Sequence, residues 1–395
     1  MLHGAYQEAA ASGKASASSG VYLKGYTGVS VKNCKISAFG TGIYASSSSY
    51  DVITGNKATS NTGSGFELYG TSLSILRTNA ATSNAQYGFY LASSSDKNTL
   101  TGNTAEHNQV GFYLSSSSYD SLGTSASHNT ASSNTQDGFY LYDSAHNTLT
   151  SNIANGNPNF GYYLGRSSHD ALVSNAASFT SNEAIANGNC GFYLNGSSFN
   201  NLTSNSVRIT WNAASLSATF KIWMGDSIGF YLHASNSNKL TRNMESTTTA
   251  SKTGPPVTTG FGIDGSNGNV LKNNMANGNQ DGFDLSNASH NTLISDTANK
   301  NSNVGFTLTS SYSNKLTSNT ANRNFDGFAV WESASNRYGS NTASNNKEYG
   351  YRDLTAGRGT KGTANTYAGD MCSRDSEGSW GGTGQASPYD NLCTP

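Results

Sequence analysis

Residues 99–114 read Thr99-Leu100-Thr101-Gly102-Asn103-Thr104-Ala105-Glu106-His107-Asn108-Gln109-Val110-Gly111-Phe112-Tyr113-Leu114. Leu100 stands between two threonines, Ala105 follows a turn at Asn103, and Gly111 to Leu114 alternates inward and outward positions. Three short strands thus follow one another, with no helical spacing of the apolar residues. Moving outward, a Gly followed by an aromatic or aliphatic residue returns at Gly42, Gly65, Gly88, Gly111, Gly138, Gly161, Gly191, Gly229, Gly260, Gly282, Gly305, Gly327 and Gly350, mostly at intervals of 22 or 23 residues. An Asn column keeps step: Asn56, Asn79, Asn103, Asn152, Asn175, Asn205, Asn243, Asn274, Asn319 and Asn341, with Cys34, Ser125 and Asp296 as departures. A fixed period of this length carrying three strands predicts an all-β parallel β-helix of about thirteen coils stacked about 4.8 Å apart. Phe112, Leu114, Leu100 and Ala105 point inward, and the Asn column forms a hydrogen-bonded ladder at one turn.

Composition agrees with a folded solenoid. The 395 residues carry 23 Lys+Arg against 24 Asp+Glu, so no basic face for nucleic acid is expected. Only 35% of residues are hydrophobic, yet 22 Tyr and 16 Phe recur regularly, which disordered chains lack. No apolar run is long enough to span a membrane, and Met1 to Gly20 lacks the basic-then-apolar layout of a signal peptide.

The stretch Val29-Ser30-Val31-Lys32-Asn33-Cys34-Lys35-Ile36 and the recurring Gly-Phe-Tyr-Leu, Ser-rich, Asn-Thr-Leu-Thr-Ser-Asn unit resemble right-handed parallel β-helix proteins of the pectin-lyase-like superfamily. In texture they are most similar to the repeat regions of NosD-like proteins. The resemblance covers residues 28–353 and implies a single-stranded, right-handed solenoid. Residues 1–27 are then an N-terminal segment or cap, with Ala9 to Ala17 as a short covering helix, and residues 354–395 a C-terminal cap.

Departures from the repeat locate a candidate site. From the Asn column to the next Gly the usual count is 8 or 9, but it is 13 after Ser125, 16 after Asn175, 24 after Asn205 and 17 after Asn243. All four insertions are expected at one corner, where loops cost the stacking little and ligands commonly meet solenoids. The largest contains Arg208, Trp211, Lys221 and Trp223. The resemblance implies that long loops at the turn before the first sheet flank a substrate groove on that sheet. On that sheet Tyr90, Tyr113, Tyr140, Tyr163, Tyr193 and Tyr231 occupy the outward position in six consecutive coils. A tyrosine ladder of this kind offers flat apolar rings with polar tips to a polysaccharide; it also serves as plain cross-strand stabilisation.

Beyond Tyr231 the face carries His233, Asp264 and Asp284. With Tyr231, Arg208 and Lys221 these residues suit β-elimination or epimerisation of a uronic acid, where a cation neutralises the carboxylate and a base takes the C5 proton. Asp264 and Asp284 alternatively suit hydrolysis. The alginate-epimerase Asp-Pro-His-Asp and the polygalacturonase Gly-His-Gly and Arg-Ile-Lys signatures are absent, so no family's catalytic residues carry over. The Asp-Gly pairs at Asp137, Asp281 and Asp326 read as turn residues. The competing class is a non-catalytic surface or adhesion solenoid that contacts another protein or another copy.

A second polar ladder runs through Asp51, Asn98, Asp120, Asn147, Asp170, Asn200, Asn238, Asn269, Asn291, Asn314 and Asn336. No cofactor or metal site is expected. Ca²⁺ is the ion such a turn suits, although neutral residues separate the carboxylates. His146 and His169 are expected to stack beside it without a third ligand. The NosD-like resemblance implies copper accessory work, but Met224, Met244 and Met275 form no cluster with His. Thr99-Leu100-Thr101 and Thr148-Leu149-Thr150 hint at an ice-binding array that Asn201, Lys239 and Lys315 break. Cys372 and Cys393 are expected to pair, while Cys34 and Cys190 lie too many coils apart. Such a pair implies an extracellular, cell-surface or periplasmic setting, with a cap and leader upstream of residue 1. The expected partner is a glycan, with self-association through exposed solenoid ends.

Overall fold

A computed structural model describes residues 8–10, 19–182, 190–212, 227–249, 258–376, 378–381 and 392–394. They fall in two compact units, Met1–Phe179 and Thr180–Pro395. In each unit the chain visits three sheets in turn, and every pairing between successive coils is parallel. The sheets are named here by what they bury: aromatic, leucine and alanine. In the first unit one coil consists of Val110–Ser115, Ser121–Leu122 and Thr130–Ser132. A coil of the second unit consists of Asp281–Ser286, Thr292–Ile294 and Thr297–Asn299.

Period-two alternation fixes the interior. Phe66, Phe89, Phe112, Phe139 and Tyr162 stack with centroids 4.7 to 4.9 Å apart, all fully buried. Phe192, Phe230, Phe261, Phe283, Phe306, Phe328 and Tyr351 repeat the stack in the second unit. Each such ring contributes roughly 1.5–3 kcal/mol from burial alone. The repeat glycine is set by space. A Cβ on Gly111 would lie 2.7 Å from both the Ala131 Cβ and the Gly138 carbonyl of the next coil. Gly and Ala therefore occur together in most coils where the alanine sheet turns into the aromatic one, while Gly20, Gly191 and Gly229 face Ile36, Val207 and Glu245.

Buried asparagines close the corners. The Asn129 Oδ1 accepts both the backbone N–H and the side-chain amide of Asn103, each at 3.0 Å, and the Asn129 amide donates to the Leu100 carbonyl at 2.8 Å. A second ladder, through Asn269, Asn291 and Asn314, works likewise at the preceding turn. A third, Asn61, Asn84, Asn108, Asn134 and Asn157, closes the remaining turn of the first unit. Asn279, Asn301, Asn324 and Asn346 do the same in the second.

These ladders correct two expectations. In the coil after Asn103 the ladder position is Asn129, not Ser125, because only Asn129 accepts from Asn103 and passes the bond on to Asn152. That insertion therefore leaves between the leucine sheet and the ladder, and the four insertions do not share one corner. The other three begin as lengthened alanine-sheet strands, Ala176–Asn182, Ser206–Asn212 and Met244–Thr249. The last two pair over six residues, from Ser206 opposite Met244 to Trp211 opposite Thr249.

Strand pairing reaches beyond residues 28–353 at both ends. Glu8–Ala10 is a strand paired with Lys35–Ser37, where a covering helix was expected to begin, and Ser19–Lys24 pairs with Thr41–Ser46. Thr366–Ala368, Met371–Ser373 and Gly378–Gly381 add a further coil, and a Cys372–Cys393 disulfide ties the C-terminal segment to it. Cys34 and Cys190 are free thiols.

Candidate functional site

In the unit Thr180–Pro395 the candidate site lies on the outward face of the aromatic sheet, on the neighbouring strands Cys190–Asn195, Ser227–His233 and Thr258–Asp264. Their register sets Tyr193 beside Tyr231 and His233 beside Asp264. The Tyr193 and Tyr231 rings stack at 5.1 Å. Gly262 follows in the tyrosine column, and a Cβ there would lie 3.1 Å from the Tyr231 ring, so the missing side chain makes room for that ring.

The polar tips then converge. His233 Nδ1 lies 2.9 Å from Asp264 Oδ2, and the Tyr231 hydroxyl donates to the same oxygen at 3.3 Å. The imidazole is 45% and the carboxylate 35% exposed, so a ligand can reach both. Burial, followed by the adjacent Asp264 charge, pushes the Tyr231 phenol well above its ordinary range, which keeps it a donor. A carboxylate that fixes an imidazole through Nδ1 is the arrangement of an oriented general base. Asp284 sits one coil beyond Gly262 on the same face. One strand spacing and two residues along the strand put its Cα about 8 Å from that of Asp264.

The structure therefore brings together Tyr193, Tyr231, His233 and Asp264, with Asp284 close by. It does not bring Arg208, which is exposed on the alanine-sheet strand Ser206–Asn212 opposite Ser246 rather than in a loop over this face. Trp211 belongs to the same strand, while Lys221 and Trp223 lie outside the described residues.

In the unit Met1–Phe179 the tyrosine column is longer than the sequence spacing suggested. It starts at Tyr22 and Tyr44, passes Glu67, and continues through Tyr90, Tyr113, Tyr140 and Tyr163. The rings are largely occupied with one another. Tyr90 and Tyr113 stack at 5.1 Å, Tyr113 meets Tyr140 edge-on at 5.0 Å, and Tyr140 stacks on Tyr163 at 4.4 Å. Tyr163 is only 8% exposed, so the freely exposed ladder expected here is in fact half-buried, and at Tyr163 closed.

Sequence spacing missed one acid. Glu245 occupies the inward column that alanines fill elsewhere and is fully buried beneath Gly229. It accepts from Thr247 at 3.0 Å and from the Asn279 amide, and burial raises its carboxyl to about 8. Its position two residues after Asn243, where Ala105 follows Asn103, was the available signal.

The ladder carboxylates are committed to backbone N–H groups: Asp51 to Val29, Asp120 to Asn98 and Asp170 to Asn147. Asp137, Asp281 and Asp326 likewise accept from Phe160, Val304 and Tyr349 in the following coil. His146 and His169 do stack, at 4.9 Å, with Tyr119 extending the stack at 4.8 Å. Among the described residues no three His, Cys, Asp or Glu side chains are grouped to hold a metal.

The family model described as "Right handed beta helix region" matches residues 8–125 and 118–243. That described as "Periplasmic copper-binding protein (NosD)" matches residues 221–384. The copper of that description finds no fitting donor set among the described residues. Met244 and Met275 are strand neighbours and exposed, but Ser206 and Thr297 flank them in the column, with no His or Cys. No curated protein matches the chain. Among solved structures, DFA-IIIase from Arthrobacter chlorophenolicus A6 in complex with GF2 is similar at 12% identity over 63% of this chain, with TM-score 0.47. The chain spans 64% of that protein's length. The mannuronan C-5 epimerase AlgE4 A-module of Azotobacter vinelandii is similar at 13% identity over 91% of each chain, with TM-score 0.43. The periplasmic alginate epimerase AlgG is similar at 11% identity over 78% of this chain and 75% of that one, with TM-score 0.32. With the three-sheet coils and the right-handed β-helix match over more than half its length, the chain belongs to the right-handed parallel β-helix repeat proteins.

Proposed function

We propose that the protein binds a polysaccharide on the outward face of the aromatic sheet in residues 193–284 and performs acid–base chemistry on it. The observation that carries this reading is the shared carboxylate of Asp264, which holds His233 at 2.9 Å and Tyr231 at 3.3 Å beside a stacked tyrosine pair. Tyr193 and Tyr231 offer ring faces and edges to a sugar. His233, fixed through Nδ1, is the group that takes or gives the proton, Asp264 orients it, and the Tyr231 hydroxyl holds the Asp264 carboxylate in place. Asp284 is the second carboxyl group that a hydrolytic route uses. Elimination or epimerisation of a uronate needs a cation, and Lys221 is the assignment for that role. The disulfide between Cys372 and Cys393 supports an oxidising, extracellular or periplasmic setting.

The second reading, a non-catalytic surface solenoid, is favoured by the first unit's tyrosines, which stack on one another more than they face solvent. Native electrophoresis through gels containing neutral or uronic-acid polysaccharides separates the two. Retardation with clearing of the gel, or with ultraviolet absorbance from an unsaturated uronate, is expected and is lost in His233→Ala. Retention equal in wild type and His233→Ala, with no change to the polymer, leaves a binding protein. Absence of retardation in every gel overturns the glycan reading.

A further inference from the structure

A different face of the second unit carries a cationic depression that the site above does not use. On the outward side of the alanine sheet, Asn277, Asn299, Asn322 and Ser344 stand in register in successive coils. The residue after each has a left-handed backbone: Gly278 at φ 76°, Lys300 at 57°, Arg323 at 58° and Asn345 at 55°. This turn places Lys300 and Arg323 beside the amide column, one strand spacing apart. Asn299, Lys300, Asn322, Arg323, Ser344 and Asn345 line a surface depression of about 320 Å³.

Three features set this depression apart from ordinary surface lysines and arginines. Its lining contains no carboxylate, and among the described residues neither Lys300 nor Arg323 forms an ion pair. Of the amides lining it, Asn299 has an Oδ1 atom buried without a hydrogen-bond partner, as Asn277 has one coil earlier in the same column, whereas that of Asn322 accepts from Ser344. Buried acceptors left unpaired are costly, and a ligand hydroxyl would satisfy them. The same turn in the first unit carries Ala38, Ser60, Ser83, His107, Ser133 and Gly156, so the fold does not require cations there.

We propose that this depression binds a linear anionic polysaccharide. Lys300 and Arg323 take successive carboxylate or sulfate groups, and the Asn299 carbonyl oxygen accepts a ring hydroxyl. A ligand needs both kinds of group to use the whole site, which selects an acidic glycan over a neutral glycan or a bare polyanion. The inference uses none of the residues of the His233 site, so either can fail alone.

The test compares the wild-type chain, Lys300→Ala/Arg323→Ala, and Lys315→Ala/Arg337→Ala, a charge-matched pair of exposed strand neighbours on the leucine sheet. Binding to polygalacturonate, chondroitin sulfate, dextran and single-stranded DNA is measured at low and moderate salt, with thermal melts confirming the fold of each variant. The first double variant is expected to lose about tenfold or more in affinity for one or both acidic glycans, and the leucine-sheet pair less than about twofold. The ratio of the polygalacturonate loss to the chondroitin sulfate loss identifies carboxylate or sulfate as the recognised group. No wild-type binding to either acidic glycan, equal losses in the two double variants, or DNA bound as tightly through the same two cations would overturn the proposal. Asn299→Leu, which keeps both charges, provides the second readout. It should weaken glycan binding while sparing whatever DNA binding exists, and unchanged glycan affinity would remove the hydroxyl-accepting role.

Discussion

The two units share their interiors and differ on their outward faces. In Met1–Phe179 the aromatic sheet shows the solvent a column of mutually stacked tyrosines, Tyr90 through Tyr163. In Thr180–Pro395 the column stops after Tyr231, and Gly262, Asp284 and Thr307 take over, with His233 and Asp264 alongside. Beneath both faces lie the same phenylalanine stack and the same Gly–Ala corner. Because the inward residues recur from coil to coil and the outward residues vary, the repeat holds the fold constant while chemistry changes along it.

The most severe way to break this comparison is to attack what the units share. Gly111→Ala would drive a Cβ to 2.7 Å from Ala131 and the Gly138 carbonyl, and Gly282→Ala to 2.8 Å from Ala298 and 2.5 Å from the Gly305 carbonyl. Neither obstacle is a flexible side-chain tip. Each substitution is expected to cost more than about 3 kcal/mol or to prevent folding, alike in both units. Denaturant melts that show one variant near wild-type stability would mean the two interiors are not equivalent.

The next effect lies on the outward faces, where the units should part. Asp264→Asn keeps the size of the side chain but weakens its hold on His233, and should lower turnover on the glycan identified by electrophoresis about a hundredfold. Tyr113→Ala in the first unit should leave turnover on short oligomers unchanged. It should cost about 1 kcal/mol in stability, since its ring touches Tyr87, Tyr90 and Tyr140. If Tyr113→Ala reduces short-oligomer turnover as much as Asp264→Asn, the division of roles between the faces is wrong.

How far the sequence could be read follows from the same asymmetry. Interior positions repeat, so Gly111, Phe112, Leu100 and Ala105 announce the coil. His233 and Asp264 could be paired because 31 residues separate them, the length of that coil between Gly229 and Gly260. Where coil length changes, counting fails. Ser125 was placed in the ladder because it follows Leu122 at the usual interval, yet Asn129-Thr130-Ala131 reproduces Asn103-Thr104-Ala105 and occupies the position. Arg208 was counted into a loop, but its backbone continues the alanine-sheet strand. The third ladder was visible as an Asn five residues after the first, as in Asn103 and Asn108, a regularity additional to the two polar columns described above. The His233–Asp264 contact itself depends on side-chain direction, which spacing does not encode.

The smallest effect sharpens the comparison at single carboxylates, one in each unit. Asp120 and Asp296 stand where the coils on either side carry asparagine, Asn98 and Asn147 for the first and Asn274 and Asn319 for the second, and each accepts a backbone N–H through Oδ1 at 2.7 Å, from Asn98 and Asn274. An asparagine there also donates to a carbonyl, as Asn98 does to Thr71 and Asn274 to Leu240. When ionised, Asp120 and Asp296 have no such donor, and their Oδ2 atoms are buried without a partner. Burial, partly offset by those N–H bonds, raises Asp120 to about 8 and Asp296 to about 7. Both values exceed the unfolded carboxylate's value of about 3.9. Between about pH 4 and each raised value the folded state keeps a proton that the unfolded chain has released. Stability is therefore full below about pH 4 and falls as pH rises through that window. Asp120→Asn and Asp296→Asn restore the donor and remove the titration, so each should stabilise the protein by about 1–2 kcal/mol at pH 8 and by much less at pH 4. Urea melts at pH 4, 6 and 8 read this directly. Curves for variant and wild type that stay parallel across the three pH values would show these carboxylates ionised at their ladder positions. A gain at Asp120 without one at Asp296 would show that the two ladders tolerate a charge differently.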